Sequence, residues 1–251
     1  MYDFYENFYK KAVTNHVFKR FCETVYGTDF SQDGFSDLNE LNDLIEKTGI
    51  NDNSVVLDIG CGNGGLCEFI HKKTGAVIYG YDYSETAIQM AKERSLEFPK
   101  LCFDVGAYGK MEYPDASFDV VLAVDTMYFV DDPKAFVEQI TGWLKPDGVF
   151  AAMYGCFDEI ETDIGRDDNS LARALREAGL DYRTVDYTEN HYRIMRKRRI
   201  TAELMREDFK REELEPIADR VITESIDADM TLEDFKRHYS RFMYIADRTL
   251  F

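Results

Sequence analysis

The residues with the plainest chemical potential lie in Val55-Val56-Leu57-Asp58-Ile59-Gly60-Cys61-Gly62-Asn63-Gly64-Gly65, where a β-branched run ends in an acid and then in a glycine cluster. Gly60, Gly62 and Gly65 satisfy G-x-G-x-x-G, a spacing that lets the backbone approach a ligand at the start of a helix, and Asp82 lies about twenty residues on. That pattern admits a dinucleotide and, with it, an NAD-dependent oxidoreductase. Asp58 argues against one. A carboxylate at the strand tip stands where a pyrophosphate would pass, and like charges repel there.

The same carboxylate suits a ligand that carries an ammonium and a sulfonium, namely S-adenosylmethionine, whose α-amino group needs an acceptor at that place. Two further acids fit. Asp82 closes Tyr79-Gly80-Tyr81-Asp82, where a carboxylate can accept from both ribose hydroxyls. Asp104-Val105 comes after Leu101-Cys102-Phe103, placing Asp104 to accept from an adenine amino group and Val105 to pack on the ring. An Asp after a strand is common in turns, so no single one of the three decides anything. Their joint occurrence with the glycine loop does. The expected cofactor contacts are Asp58, Gly60, Cys61, Gly62, Asn63, Gly64, Asp82 with its neighbour Tyr83, Asp104 and Val105. Cys61 and Cys67 occupy places that require small side chains, which favours packing over redox chemistry.

These residues need a scaffold that brings strand ends together. Ser54 to Ile59 reads as a strand, Leu66 to Lys73 as a helix ended by Gly75, and Ala76 to Tyr81 as a second strand. Ser84 can cap a helix running to Glu97, because its hydroxyl can accept from the unpaired first-turn amides. Phe118 to Val124 makes a strand, Pro133 to Leu144 a helix, and Gly148 to Tyr154 a strand after the turn Lys145-Pro146-Asp147-Gly148. Alternating strands and helices mean a parallel sheet covered on both faces, the Rossmann-like, doubly wound α/β class. Two helices precede it, from Asn15 to Tyr26 and from Asp37 to Lys47, each with apolar residues at helical spacing. Beyond it come a helix from Leu171 to Ala178, a strand from Tyr182 to Tyr187, a charged helical stretch from Glu189 to Glu215 and a last strand from Phe242 to Ile245. No repeat or linker divides the chain. It reads as a single domain over 1–251, with an N-terminal helical lid (1–50), a cofactor-binding core (51–155) and a C-terminal part (156–251) whose helices face the substrate.

The 251 residues include 48 acidic and 30 basic side chains, a formal charge of −18, which disfavours a phosphate backbone as partner. The basic run from Arg193 to Arg199 is succeeded closely by acids and reads as a solvated helical face. Five cysteines without a C-x-x-C pair and four scattered histidines encode neither a disulfide frame nor a metal site. No apolar run approaches the roughly 18 residues that span a bilayer, and the opening MYDFYENFYKKAV is aromatic and charged, so no membrane is expected and the cytoplasm is the expected compartment. Of the sixteen tyrosines, Tyr128, Tyr154 and the group Tyr2, Tyr5 and Tyr9 fall near the expected crevice or its lid. His16 and His191 are each capable of general-base chemistry near neutral pH.

Asp58-Ile59-Gly60-Cys61-Gly62-Asn63-Gly64 resembles the first motif of class I S-adenosylmethionine-dependent methyltransferases, with Asp82 and Asp104 similar to the family's acids after the second and third strands. Phe118 to Asp125 resembles its fourth strand, and Leu144 to Gly148 the turn before its fifth. The resemblance covers Val55 to Met153 and implies a seven-stranded sheet with the last strand antiparallel. The flanks, Phe21 to Phe30 with Tyr26, Tyr154, and Arg241 to Tyr244, are similar to phosphoethanolamine and glycine or sarcosine methyltransferases. Tyr26 is thereby an expected cofactor contact, and Tyr128 and Tyr154 expected substrate contacts. In the phosphoethanolamine enzymes an Asp after the fourth strand works with a His four residues later; Asp125 matches the first, and Phe129 stands in place of the second.

The resemblance implies methyl transfer from S-adenosylmethionine to a nucleophilic N, O or S of a small molecule, with Asp125 and His16 as catalytic candidates. A non-catalytic S-adenosylmethionine-binding module is the other alternative, motivated by the missing His partner of Asp125. No metal and no nucleic acid enter; a homodimer is compatible with the sequence.

Overall fold

A computed structural model describes residues 2–31, 33–158, 163–227 and 229–247, without the side chains of Tyr2 and Asp3. Its centre is a seven-stranded sheet in the order β3-β2-β1-β4-β5-β7-β6, comprising β1 (Val55–Ile59), β2 (Val77–Asp82), β3 (Leu101–Val105), β4 (Phe118–Val124), β5 (Leu144–Phe157), β6 (Asp181–Asp186) and β7 (Tyr239–Asp247). β1 to β5 run parallel, and β7 lies antiparallel to both β5 and β6. The chain order reverses between β1 and β4. In an open α/β sheet that reversal leaves a crevice outside the carboxyl ends of the strands.

The strands form where the sequence is apolar on both sides. Val56, Leu57, Val121 and Leu122 are buried because helices cover both faces. One face carries Phe136, Val137, Ile140 and Trp143 of α6 (Pro133–Trp143) and Leu171 and Leu175 of α7 (Ser170–Glu177). The other carries Leu41, Leu44 and Ile45 of α3 (Leu38–Thr48), Ile70 of α4 (Gly65–Thr74) and Ile88 and Ala91 of α5 (Glu85–Arg94). Capping fixes where these helices start: Asp37 Oδ1 accepts from the Asn39 and Glu40 amides, and Ser84 Oγ from the Ala87 amide, as expected for short polar caps.

The flanks differ from the sequence expectation. Three helices precede β1, since α1 (Tyr2–Lys11) joins α2 (His16–Tyr26) and α3. The helix begun at Ser84 ends at Arg94 instead of Glu97. The charged stretch divides at Met205 into α8 (Thr188–Leu204) and α9 (Arg206–Arg211), and α10 (Glu215–Thr223) and α11 (Leu232–His238) come before a β7 longer than Phe242 to Ile245. The two ends of the chain share a core. Phe8, Val17, Phe18 and Phe21 pack with Ile194, Ala202, Phe209 and Val221, so α1 and α2 are bound to α8, α9 and α10. Arg198 is turned into this region and buried, donating to Tyr26 Oη and the Gly34 carbonyl, which corrects the expectation that the whole basic run is a solvated face.

Candidate active site

The crevice at the β1/β4 switch encloses about 890 Å³ including its open mouth. Tyr5, Tyr9, Ser31, Asp33, Asp58, Gly60, Cys61, Gly62, Asn63, Asp82, Tyr83, Tyr108, Asp125, Thr126 and Phe129 are among its lining residues. Its floor is the turn after β1. The amides of Gly60 and Cys61 donate to the Tyr81 carbonyl at 2.8 and 3.0 Å, holding the turn onto β2. Gly60 has φ +75° and Gly62 φ +54°, and a Cβ at Gly60 would stand 2.6 Å from the Thr126 methyl. These two positions need glycine both for the left-handed backbone and for space.

Asp58 is 2% exposed, and its one hydrogen bond among the described residues comes from the Cys67 thiol at 3.1 Å. Burial pushes its pKa up from 3.8 to about 6, a rise that the thiol opposes and the negative field of Asp82 assists. A carboxylate this dry, without a cation beside it among the described residues, is a site for a positively charged hydrogen-bond donor. Asp82 is also buried. Its Oδ2 accepts from the Gly62 amide at 3.0 Å and its Oδ1 from the Ser84 amide at 2.9 Å, yet burial still raises its pKa. A carboxylate has about four acceptor positions, so those two amides leave Asp82 room for ligand hydroxyls. Asn63 uses Oδ1 on the Gly65 amide, while its buried Nδ2 has no partner among the described residues. Lone acceptors at Asp58, spare acceptors at Asp82 and a lone donor at Asn63 fit the ammonium, ribose and carboxylate groups of S-adenosylmethionine.

The roof comes from α1. The Tyr9 hydroxyl lies 2.6 Å from where a Gly62 Cβ would be, and Tyr5 meets Tyr83 and Phe129 edge to face. Glu6 anchors this helix by accepting from Ser84 Oγ at 2.6 Å and from the Thr86 amide at 3.4 Å, placing a negative charge at the N-terminus of α5. Burial works against that carboxylate, but the hydrogen bonds from Ser84 and Thr86 prevail and lower its pKa.

Several expected site residues stand elsewhere. Asp104 is 74% exposed in its side chain, with Lys92 at 3.8 Å, and Val105 is 48% exposed on the same edge strand. β3 continues through Val105, so the lip of the crevice falls in the loop after it, and Tyr108 supplies the ring there. Gly64 packs inward, since a Cβ on it would be 2.8 Å from the Phe103 ring. Tyr26 is buried in the helical core, bonded to Arg198. His16 opens α2 on the exposed surface and lies outside the lining residues.

Asp125 lines the crevice, with φ +57°. Arg241 clamps it in a bidentate pair, Nη1 to Oδ1 at 2.6 Å and Nη2 to Oδ2 at 3.0 Å. The Phe35 amide, Ser36 Oγ and Tyr128 Oη also donate to it. Burial alone would raise its pKa; Arg241 and these bonds reverse this and hold it below the usual carboxylate range. A saturated acid of lowered pKa is a poor proton acceptor, and these bonds suit Asp125 to an anchoring role. Arg241 passes the clamp on through Nε to Glu40 at 3.0 Å, and Asn190 closes it at 2.8 Å. Of this network the sequence marks Asp125, Tyr128 and, through the flank resemblance, Arg241, whereas Phe35, Ser36, Glu40 and Asn190 carry no such signal. Tyr154 is buried, shares a hydrogen bond with Ser170 and stacks on Tyr128 at 4.9 Å, so it supports the wall without lining the crevice.

A family model described as a methyltransferase domain matches residues 50–199, more than half of the chain and all of the glycine turn, Asp58 and Asp82. The chain belongs to the methyltransferase-domain family. A sterol 24-C-methyltransferase of Aspergillus fumigatus is 33% identical over 159 residues, 62% of this chain and 40% of its own length. A phosphoethanolamine N-methyltransferase of Plasmodium falciparum is 29% identical over 141 residues, 55% of this chain and 52% of its own. The chain thus spans about half or less of the length of these relatives. Phosphoethanolamine N-methyltransferase 2 of Haemonchus contortus, solved with phosphomonomethylethanolamine and S-adenosylhomocysteine, aligns over 97% of this chain and 60% of its own with a TM-score of 0.73 at 17% identity, a likeness of fold.

Proposed function

We propose that the crevice binds S-adenosylmethionine and that this methyltransferase moves the methyl group to a nucleophilic nitrogen, oxygen or sulfur of a small molecule. The observation that carries this is Asp58, a buried carboxylate with no cation beside it among the described residues, set next to a left-handed glycine turn at the sheet's switch point. It speaks equally against the pyrophosphate of NAD. When bound, S-adenosylmethionine supplies an electrophilic methyl on its sulfonium. Asp58 and Asn63 would hold the amino-acid end, Gly60 and Gly62 would admit it to the turn, Asp82 would take the ribose, and Tyr108 would flank the adenine.

The chain's contribution to the chemistry is mainly positional. Asp125, fixed by Arg241, sets the backbone between the crevice and the acceptor side, and Tyr5, Tyr9 and Phe129 exclude water above it. Holding donor and acceptor about 3–3.5 Å apart and in line can supply several kcal/mol of the barrier without a covalent intermediate. As proposals of the same kind, the whole chain works as one unit, α1 closes the site, the protein is cytoplasmic and a homodimer forms. Calorimetric titration with S-adenosylmethionine and with NAD is the test. Heat with the first and none with the second is expected, and binding of NAD alone would overturn the proposal.

A further inference from the structure

A second cavity opens from the first and shares Tyr5, Asp33, Asp125 and Phe129 with it. Its walls add the rings of Phe35, Tyr128, Phe157 and Tyr239. Asp33, Asp125 and Glu224 line it with Arg220 as the one cation among the described lining residues, while Arg241 and Arg198 stand behind Asp125 and Glu224. Arg220 faces two acids, although its buried Nη1 makes no hydrogen bond among the described residues. Its Nε donates to Glu224 Oε1 at 2.5 Å, its Nη1 forms an ion pair with Asp33 at 3.1 Å, and its guanidinium lies 3.7 Å above the Phe4 ring. Arg241, behind Asp125, is fully buried and spent on Asp125 and Glu40.

Recognition of a phosphate, diphosphate or carboxylate needs a free guanidinium, ammonium or cluster of N–H groups. Apart from Arg220, which stands between Glu224 and Asp33, these walls offer an anion carboxylates, ring faces and the hydroxyls of Thr223 and Ser225, which already donate to the Asp219 and Val221 carbonyls. The carboxylates and rings favour a cation, since aromatic faces and acids attract an ammonium. Resting on the function proposed above, we infer that the acceptor is an amine with an apolar body and no anionic group, held in this second cavity and methylated on nitrogen. The amine enters as its ammonium and loses a proton to solvent, which reaches the cavity at Glu224, 37% exposed in its side chain. The nitrogen lone pair then forms the N–C bond to the methyl while the C–S bond breaks and its electron pair stays on sulfur. The product is a methylated ammonium, and the sulfonium charge is thereby carried over to nitrogen.

The inference separates this chain from relatives named for phosphorylated acceptors, and it is tested by binding instead of turnover. Three probes are titrated into the protein saturated with S-adenosylhomocysteine: 2-phenylethylamine, 2-phenylacetate with the same body and the opposite charge, and phosphoethanolamine. The amine is expected to bind at least tenfold more tightly than either anionic probe. Glu224→Gln, which releases one side of Arg220, should shrink that preference several-fold. Equal or tighter binding of phenylacetate or phosphoethanolamine, or no binding of the amine, overturns the inference. Failure of S-adenosylhomocysteine itself to bind would instead overturn the underlying function.

Discussion

Replacing Asp58 by Asn should make the ligand-free protein more stable and the donor-bound one much less so. The folded chain lifts this carboxyl from 3.8 to about 6 by burial, which corresponds to roughly 3 kcal/mol against its ionised form. Because the folded value lies above the unfolded one, the stability that protonation gives is fully present below about pH 4 and is lost as pH rises through 6. At pH 7.5 the wild type therefore carries the full penalty, and Asp58→Asn removes it at the loss of about 1 kcal/mol for the Cys67 bond. A net gain of roughly 2 kcal/mol at pH 7.5, vanishing near pH 4, should appear in urea denaturation. Binding moves the other way. An ammonium needs the carboxylate, so wild-type affinity for S-adenosylhomocysteine should fall about tenfold from pH 7 to pH 5. Loss of a charge-assisted acceptor, about 1.5–3 kcal/mol, should weaken Asp58→Asn roughly ten- to hundredfold at pH 7.5. Burial also raises Asp82, so a residual acid limb is expected in the variant. Wild-type affinity in Asp58→Asn, or an affinity flat from pH 5 to 8 in the wild type, would refute the role given to this residue.

Gly62→Val should abolish donor binding, because its Cβ would fall 2.6 Å from the Tyr9 hydroxyl at a φ of +54°; normal calorimetric affinity would mean the turn is not the site. Asp125→Asn should lower unfolding free energy by roughly 3–5 kcal/mol by leaving the buried Arg241 short of a counter-charge, and unaltered stability with lost turnover would restore Asp125 as the proton acceptor. On adding S-adenosylhomocysteine, amides of Phe4 to Lys11 should gain hydrogen-exchange protection while those of Val17 to Tyr26 change little, since α2 already sits in the helical core; equal change in both would show that α1 does not close over the ligand.

The legible part of the sequence was local. The glycine turn, the Ser84 cap and the strands through Asp58 and Asp82 each carry their signal within a few residues, and the structure places them as read. For Asp104 the length of β3, not the residue type, decides where the side chain stands, and it stands exposed on the edge strand. The strand runs two residues past Phe103, and the loop residue Tyr108 is at the lip. α1 had a signal that went unused, since Phe4 and Phe8 stack and Tyr5 and Tyr9 lie at the same i, i+4 spacing. The pairing of Asp125 with Arg241 had none. Arg241 is 116 residues from Asp125 and 201 from Glu40, and such pairing arises from β7 returning beside β5. His16 shows the converse, a residue capable of the chemistry that stands exposed at the start of α2, outside the residues lining the crevice.

The most direct measurement is a crystal structure of the chain with S-adenosylhomocysteine. The account predicts the ligand's amino group within hydrogen-bond reach of the Asp58 carboxylate, its ribose hydroxyls on Asp82 and its adenine beside Tyr108. A ligand bound in any other cavity, or one in the crevice whose amino group leaves Asp58 bonded to Cys67 alone, would contradict it.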